Sequence, residues 1–326
     1  MTVDIVSVGS YIPARRVSNE ELAKQMDTTD EWIRSHTGIG NRHIASEEET
    51  TSHMATEAIK TALKNAGISK DELDFIIIAT VTPDYRDFPS VANLVQRNLE
   101  LGNTGSVDIK AACTGFVYGL EMARGLILSG SMKTIAVVGV EKLTAITDWT
   151  DRSTAVLFGD GAGAAILQAG SGESGILDGI LRSDGTGCLA LHMPVGGTAT
   201  PFKAGETTEK DLKFRMNGHQ VYNFAVRVNV EIVKELLERN GLTAEDVDYI
   251  VPHQANYRII QAASKRAKIP LDKYYLNMEE FANTSSASIP LALAEMYTKG
   301  LLKKGMKILT VGFGGGLTYG GNYIIW

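Results

Sequence analysis

The chain has 326 residues, 44% of them hydrophobic, and a formal charge of −6. That is material for one large or two medium domains around a substantial core, and the acidic balance excludes a general nucleic-acid or anionic-membrane binder, which needs broad positive potential. Two cysteines make no disulfide framework, no run approaches the ~18 apolar residues of a membrane span, and no basic, apolar leader is visible, so the expectation is a cytoplasmic protein.

The opening MTVDIVSVGSYIPARR reads as a strand running into a proline turn. Beyond it, β-rich runs at 75–81, 135–140, 249–252 and 308–312 alternate with helical patterns at 54–66, 225–240 and 288–299, which predicts α/β layers with mixed sheets. The order also repeats. EAIKTALKNAGISKDELDFII around Gly67 returns as EIVKELLERNGLTAEDVDYIV around Gly241, 174 positions on, and Met132, Lys133 and Val137 match Met306, Lys307 and Val311 at the same offset. Two related halves are expected, 1–172 and 173–326, joined near 170–175 where AGSGESG supplies small residues. A duplication by itself records history and packing as readily as function; the chemistry is to be sought where the copies differ.

Two glycine-rich loops, Gly159–Gly163 and Gly312–Gly316, follow apolar runs, yet strand-like sequence comes after each. A dinucleotide fingerprint needs a helix there, so close backbone approach, with a free N–H near Gly315 as an oxyanion donor, is the better reading. Cys113, in DIKAACTGFVYGL, stands where a strand gives way to a helix. The helix start would stabilise a thiolate there and lower the pKa of a nucleophile; a small buried hydrophobe is the competing reading. Cys188 lacks that context and reads as structural. At the 174-residue offset Cys113 faces Ala287, His253 faces Ala79 and Asn283 faces Ile109, so the reactive types fall where the repeat breaks. His253 sits at a strand end after Pro252, a usual place for functional side chains in α/β proteins. Asn283 is expected to open a helix, as an N-cap or as a site residue. A Cys, His and Asn set fits protease-type chemistry as well as acyl transfer.

Taken in order, DEWIRSHTGI, AACTGF, DRSTAVLFGDGAG, HQAN, NTSSASIP and GFGGGLTYG resemble the β-ketoacyl-acyl-carrier-protein synthase III family, the initiating condensing enzymes of bacterial fatty-acid synthesis, over essentially the whole chain. Related families carry a second catalytic cysteine, two histidines, or a GFGPG loop. The resemblance implies a thiolase-like fold, two pseudo-symmetric halves in αβαβα layers, acting as a homodimer. It implies that Cys113 takes the acyl group from an acyl-CoA primer, with the Cys113 and Gly315 N–H groups as oxyanion hole. His253 and Asn283 would then stabilise the enolate formed when malonyl-acyl-carrier protein loses CO2. No metal or redox cofactor is implied.

By the same resemblance Thr28, Trp32, Arg152, Gly218 and Asn256 are CoA-binding, with adenine sandwiched between Trp32 and Arg152, and Phe88 and Leu143 shape the acyl pocket. Gln254, Ala255, Asn256, Tyr257, Arg258, Lys265 and Arg266 are expected to meet the acidic carrier protein, steered by a local basic patch. His36, Gly40 and Asn41 stand where relatives often carry arginines, which weakens the potential expected around CoA phosphates. Rival readings are a cysteine-dependent thioester hydrolase or acyltransferase on the same fold, and a non-catalytic acyl-CoA or carrier-binding module.

Overall fold

In the computed structural model, which describes residues 2–170 and 172–326, the apolar runs assemble into two sheets. The first half builds β1 (Thr2–Tyr11), β2 (Phe75–Ala79), β3 (Gly105–Ile109), β4 (Thr134–Lys142) and β5 (Asp160–Gly170), ordered β1-β5-β4-β2-β3. The second builds β6 (Gly175–Ser183), β7 (Tyr249–Pro252), β8 (Lys307–Phe313) and β9 (Thr318–Ile325), ordered β6-β9-β8-β7. Both sheets are mixed, with β2 parallel to β3 and β4 and β7 parallel to β8. The strand orders match except at the edge: in place of β3 the second sheet has a single parallel bridge, Ile250 to Tyr274, after which a short helix, Met278–Phe281, leads into Asn283. Of the expected join at 170–175, Ser171 lies outside the described residues.

Helix character decides the layering. The helices α1 (Asp30–Thr37), α2 (Thr51–Ala66), α3 (Val91–Asn98), α5 (Gly218–Arg239) and α6 (Tyr257–Ala267) are amphipathic, whereas α4 (Gly115–Leu128) and α7 (Ser288–Thr298) are apolar almost all round. An amphipathic helix needs one apolar neighbour, and a helix apolar on every side needs two. Accordingly α2 and α3 cover the outer face of the first sheet, α5 and α6 cover that of the second, and α4 and α7 lie between the sheets. The result is the αβαβα layering expected from the sequence.

The middle layer is interlocked. A tight turn, Ala112–Thr114, precedes α4, and another, Ser285–Ala287, precedes α7; both start on a left-handed residue, Ala112 at φ 45° and Ser285 at φ 49°. Each turn presses on a glycine of the other half. A Cβ on Gly139 of β4 would lie 2.1 Å from the Ser286 carbonyl oxygen, and one on Gly312 of β8 would lie 3.1 Å from the Thr114 Cα. At Gly139 only a residue without a side chain permits so close an approach of two backbones. The turns and glycines correspond at an offset of 173 rather than 174, because the second copy is one residue shorter between β7 and β8. Cys113 therefore matches Ser286, correcting its pairing with Ala287, and Asn283 matches Lys110 rather than Ile109.

Replacing Gly139 with Ala is expected to lower stability by upward of about 2 kcal/mol. Gly125→Ala, on exposed α4 surface with nothing within 4 Å of the new Cβ, is expected to be neutral or to stabilise by about 0.5–1 kcal/mol. Urea unfolding midpoints check both.

Candidate active site

Cys113 lies on the 112–114 turn, 8% exposed. It borders a cavity of about 270 Å³ whose walls include Val81, Leu143, Ile146, Phe158, Leu191 and Phe214. Ser285 and Gly315 line the same cavity beside the thiol. A glycine lets the loop come this close, since a Cβ on Gly314 would lie 2.7 Å from the Cys113 nitrogen. The expectation of a lowered thiol pKa is overturned. Burial pushes it up to about 11, with the Ser285 hydroxyl opposing and the Glu141 charge adding to the rise; desolvation disfavours the thiolate more than the nearby donors favour it. Cys188, read as structural, is exposed.

His253 follows β7, where its N–H donates to the Val311 carbonyl at 2.7 Å, and its ring is buried edge-on to Phe313. Burial pulls its pKa down to about 3, so the imidazole is neutral. Nδ1 lies 2.7 Å from Ser288 Oγ, which also accepts the Gln254 N–H at 3.3 Å. That leaves the Ser288 proton for Nδ1 and puts the ring proton on Nε2. Asn283 does not open a helix: it bridges to Phe158, and its Oδ1 accepts the Ser285 N–H at 2.9 Å. Its amide NH2 is thus its donating end. The 283–288 segment holds two of the three predicted residues, Asn283 at its start and His253 through Ser288, and its Ser285 lines the Cys113 cavity.

Around the expected nucleotide site, Arg152 lies directly on Trp32, 4.7 Å from the ring centroid, and donates to the Asp27 carbonyl at 2.7 Å. The space for a sandwiched base is therefore closed here, and His36 stacks on Trp32 at 4.3 Å. Thr28 Oγ1 is buried without a hydrogen-bond partner. Gly218 begins α5, exposed and unobstructed. Asn256 caps α6 through the Arg258 N–H at 2.8 Å and donates to the His36 carbonyl at 3.1 Å. At position 40 a Cβ would strike the Arg34 guanidinium, which Asp30 and Glu279 hold at 2.8 Å, and Asn41 donates to Glu280 at 3.1 Å.

Leu143 lines the cavity beside Cys113. Phe88 does not: it is 88% exposed on the 83–89 loop, outside the cavity of its own chain. Gln254 is also corrected, because it is buried with its amide donating to the Pro252 and Tyr275 carbonyls and accepting the Asn277 N–H, so it presents nothing to a partner. Ala255 and Tyr257 are half-buried, while Arg258, Lys265 and Arg266 are exposed. Phe214, Ile146 and Leu191 carried no sequence signal as cavity walls. Ser285, Ser288 and Glu141 were overlooked as polar support, although the run of serines in NTSSASIP pointed to the first two. Among the described residues no group of His, Cys, Asp and Glu is arranged for a metal ion, and no helix is long and apolar enough to cross a membrane.

Two homologous halves stacked in five layers, with a thiol on the turn into a central helix, define the thiolase-like class of acyl-transferring condensing enzymes. Family models described as 3-oxoacyl-[acyl-carrier-protein] synthase III and its C-terminal part match residues 107–185 and 237–326. The β-ketoacyl-[acyl-carrier-protein] synthase III of Caldanaerobacter subterraneus is 49% identical over 99% of this chain and 97% of that protein. That of Clostridium acetobutylicum is 48% identical over 100% and 99%. The crystal structure of the Aquifex aeolicus 3-oxoacyl-[acyl-carrier-protein] synthase III superposes with a TM-score of 0.92 at 42% identity, covering 99% of this chain and 100% of that one. The chain belongs to the β-ketoacyl-acyl-carrier-protein synthase III family, and its activity is the acyl-transferring condensation that initiates fatty-acid synthesis.

The buried neutral His253 is checked by histidine-labelled NMR. Its ring is expected to keep the Nε2–H tautomer with no titration midpoint between pH 5 and 8, since its pKa is about 3; a midpoint near 6.5, the unperturbed value, would contradict this.

Proposed function

We propose that Cys113 is the nucleophile, that acyl-CoA and malonyl-acyl-carrier protein are the two substrates, and that His253 and Asn283 serve the second of them. The observation that carries this reading is the single 283–288 segment, which anchors Asn283 and His253 and also places Ser285 in the wall of the Cys113 cavity. Sγ attacks the acyl-CoA carbonyl while the Cys113 and Gly315 N–H groups hold the oxyanion. The apolar cavity with Leu143 in its wall takes the acyl chain. Malonyl thioester then binds with its carbonyl oxygen toward the His253 Nε2–H and the Asn283 amide. A neutral imidazole is suited to donating there without competing for the proton. Carbon dioxide leaves, the enolate attacks the acyl-cysteine, and the thiol is released.

CoA is held in this reading by Thr28, Trp32, Arg152, Gly218 and Asn256, with Arg152 lifting from Trp32 to admit the base. Glu279 and Glu280 beside Arg34 and Asn41 make a poor phosphate site, so CoA is held mainly by stacking and by the pantetheine. The carrier docks on Arg258, Lys265 and Arg266, none of which has a carboxylate partner among the described residues. The working unit is a homodimer: β3 leaves one side of the first sheet unpaired, an open edge that a second copy covers, and that copy shelters Phe88. Each protomer consists of the halves 1–172 and 173–326, works in the cytoplasm, and uses no metal or redox cofactor.

Intact-protein mass after incubation with acyl-CoA tests the nucleophile: the acyl adduct is expected on Cys113 and absent from Cys113→Ala, and an adduct on Cys188 would overturn the assignment. His253→Ala is expected to acylate normally yet condense roughly 10²-fold more slowly. Arg258→Glu is expected to raise KM for the malonyl-carrier substrate by roughly tenfold, with KM for acyl-CoA unchanged; equal effects on both would refute the docking role.

A further inference from the structure

Strand β4 carries a carboxyl group, that of Glu141, to the seam between the two halves, where it is fully buried. Oε2 accepts from the loop after β2: the Thr82 hydroxyl at 2.7 Å, the Val81 N–H at 3.1 Å and the Thr80 hydroxyl at 3.2 Å. Oε1 accepts from the turn of the other half, the Ser286 hydroxyl at 3.0 Å and the Ser285 hydroxyl at 3.2 Å, with the Val81 N–H farther off at 3.3 Å. The two sides are anchored differently. Val81 donates from the backbone, and Thr82 accepts the Lys142 N–H at 2.8 Å, which turns its own proton to Glu141. On the other side Ser286 has one proton for two acceptors, Glu141 and the Ala79 carbonyl at 2.8 Å. Ser285 donates to Glu141 from a left-handed residue, φ 49°, a conformation that persists only where its surroundings hold it.

That turn sets the Asn283 side chain. The Asn283 backbone is tied elsewhere, its N–H donating to the Leu157 carbonyl at 2.9 Å and its carbonyl accepting the Gly159 N–H at 3.1 Å. What remains is rotation of the amide, and the Ser285 N–H stops it by donating to Oδ1 at 2.9 Å. Glu141 thus reaches Asn283 through Ser285, from carboxyl to hydroxyl and from backbone N–H to amide oxygen.

We propose that Glu141 is a positioning residue for the Asn283 amide, holding its NH2 toward the thioester oxygen of the second substrate. The inference rests on the reading of Asn283 as the donor that stabilises the enolate. A carboxylate suits the place because both of its oxygens meet donors. A glutamine would meet the Val81 N–H with its oxygen and turn its NH2 toward Ser285 and Ser286, so the first half would keep its contacts and the turn would lose its acceptor. A donor displaced by about 1 Å from a reacting group loses much of its effect. Burial pushes Glu141 up to about 7, so the group is assayed in its ionised form at about pH 8.

Two half-reactions measured separately test this: acylation by acyl-CoA, followed by intact-protein mass, and condensation of the acylated enzyme with malonyl-carrier substrate. Glu141→Gln is expected to acylate within about twofold of wild type. Its kcat for condensation is expected to fall roughly tenfold, with KM for the malonyl-carrier substrate unchanged. Asn283→Ala is expected to lower that kcat roughly 10²-fold. Adding Glu141→Gln to Asn283→Ala is expected to cost no more than about another twofold, because Glu141 acts through Asn283. Thr82→Ala removes the shortest hydrogen bond to Glu141, on the oxygen that serves the first half, and is expected to condense within about twofold of wild type. Ser285→Ala, on the other oxygen, is expected to share the Glu141→Gln defect.

Wild-type condensation by Glu141→Gln overturns the proposal, as do equal losses in acylation and condensation. So does a Thr82→Ala defect as large as that of Ser285→Ala, or a further loss of roughly tenfold in the double variant, either of which would mark Glu141 as structural. Should Glu141→Gln not fold, Ser285→Ala against Thr82→Ala, each alone and combined with Asn283→Ala, decides the matter. Normal condensation by Asn283→Ala would instead overturn the reading of Asn283 itself.

Discussion

The structure depends on the contact of each half's central turn with a glycine of the other half. Gly139 receives the Ser286 carbonyl at a distance that no side chain permits, and Gly312 receives the Thr114 backbone in a tight contact that a side chain would press on. Because the exchange is reciprocal, neither central helix can shift without moving the opposite sheet. Both turns also hold a non-glycine residue in the left-handed region, which costs on the order of 1 kcal/mol each and persists where the surroundings over-determine it. Here the surroundings are the two buried sheets themselves.

Chemistry follows from that constraint because the two turns are equivalent in backbone and different in side chains. The first turn presents Cys113 and the second presents Ser286 at the matching place, while Asn283, Ser285 and Ser288 flank it. Interlocking sets the thiol of one half and Ser285 of the other in the wall of one cavity, at a depth where water is excluded. Exclusion has opposite consequences for the two titratable groups nearby: it holds the thiol protonated and the imidazole neutral. Of the polar contacts of the turn, the Ser285 hydroxyl opposes the rise that burial imposes on the thiol.

Much of this was legible in the chain. Alternating runs and the repeat sufficed for α/β layers with mixed sheets in two halves, since local periodicity reports which faces must be covered; the five-layer order came from the family resemblance. Cys113 and His253 stood out because each sits at the end of a strand where the repeat breaks, whereas Leu143 was singled out only by the family resemblance. What failed depended on contacts distant in sequence. A one-residue slip between β7 and β8 shifted the pairing of Cys113. Burial from both sheets reversed the expected direction of its pKa, and Gln254 is consumed by carbonyls before and after it in the chain. The polar support of Glu141 joins residues 80, 82, 285 and 286, and no local pattern announces such a cluster. Phe88 was taken from the motif match alone, and it stands exposed on the 83–89 loop, outside the cavity of its own chain.

The account's central claim is that the two turns form one cooperative unit shared by both halves. Native-state hydrogen exchange of the amides at 112–120 and 285–293 addresses it directly. One opening free energy common to both segments, equal to that of global unfolding, is predicted. Exchange of one segment through a separate, lower-energy opening while the other stays protected would contradict it.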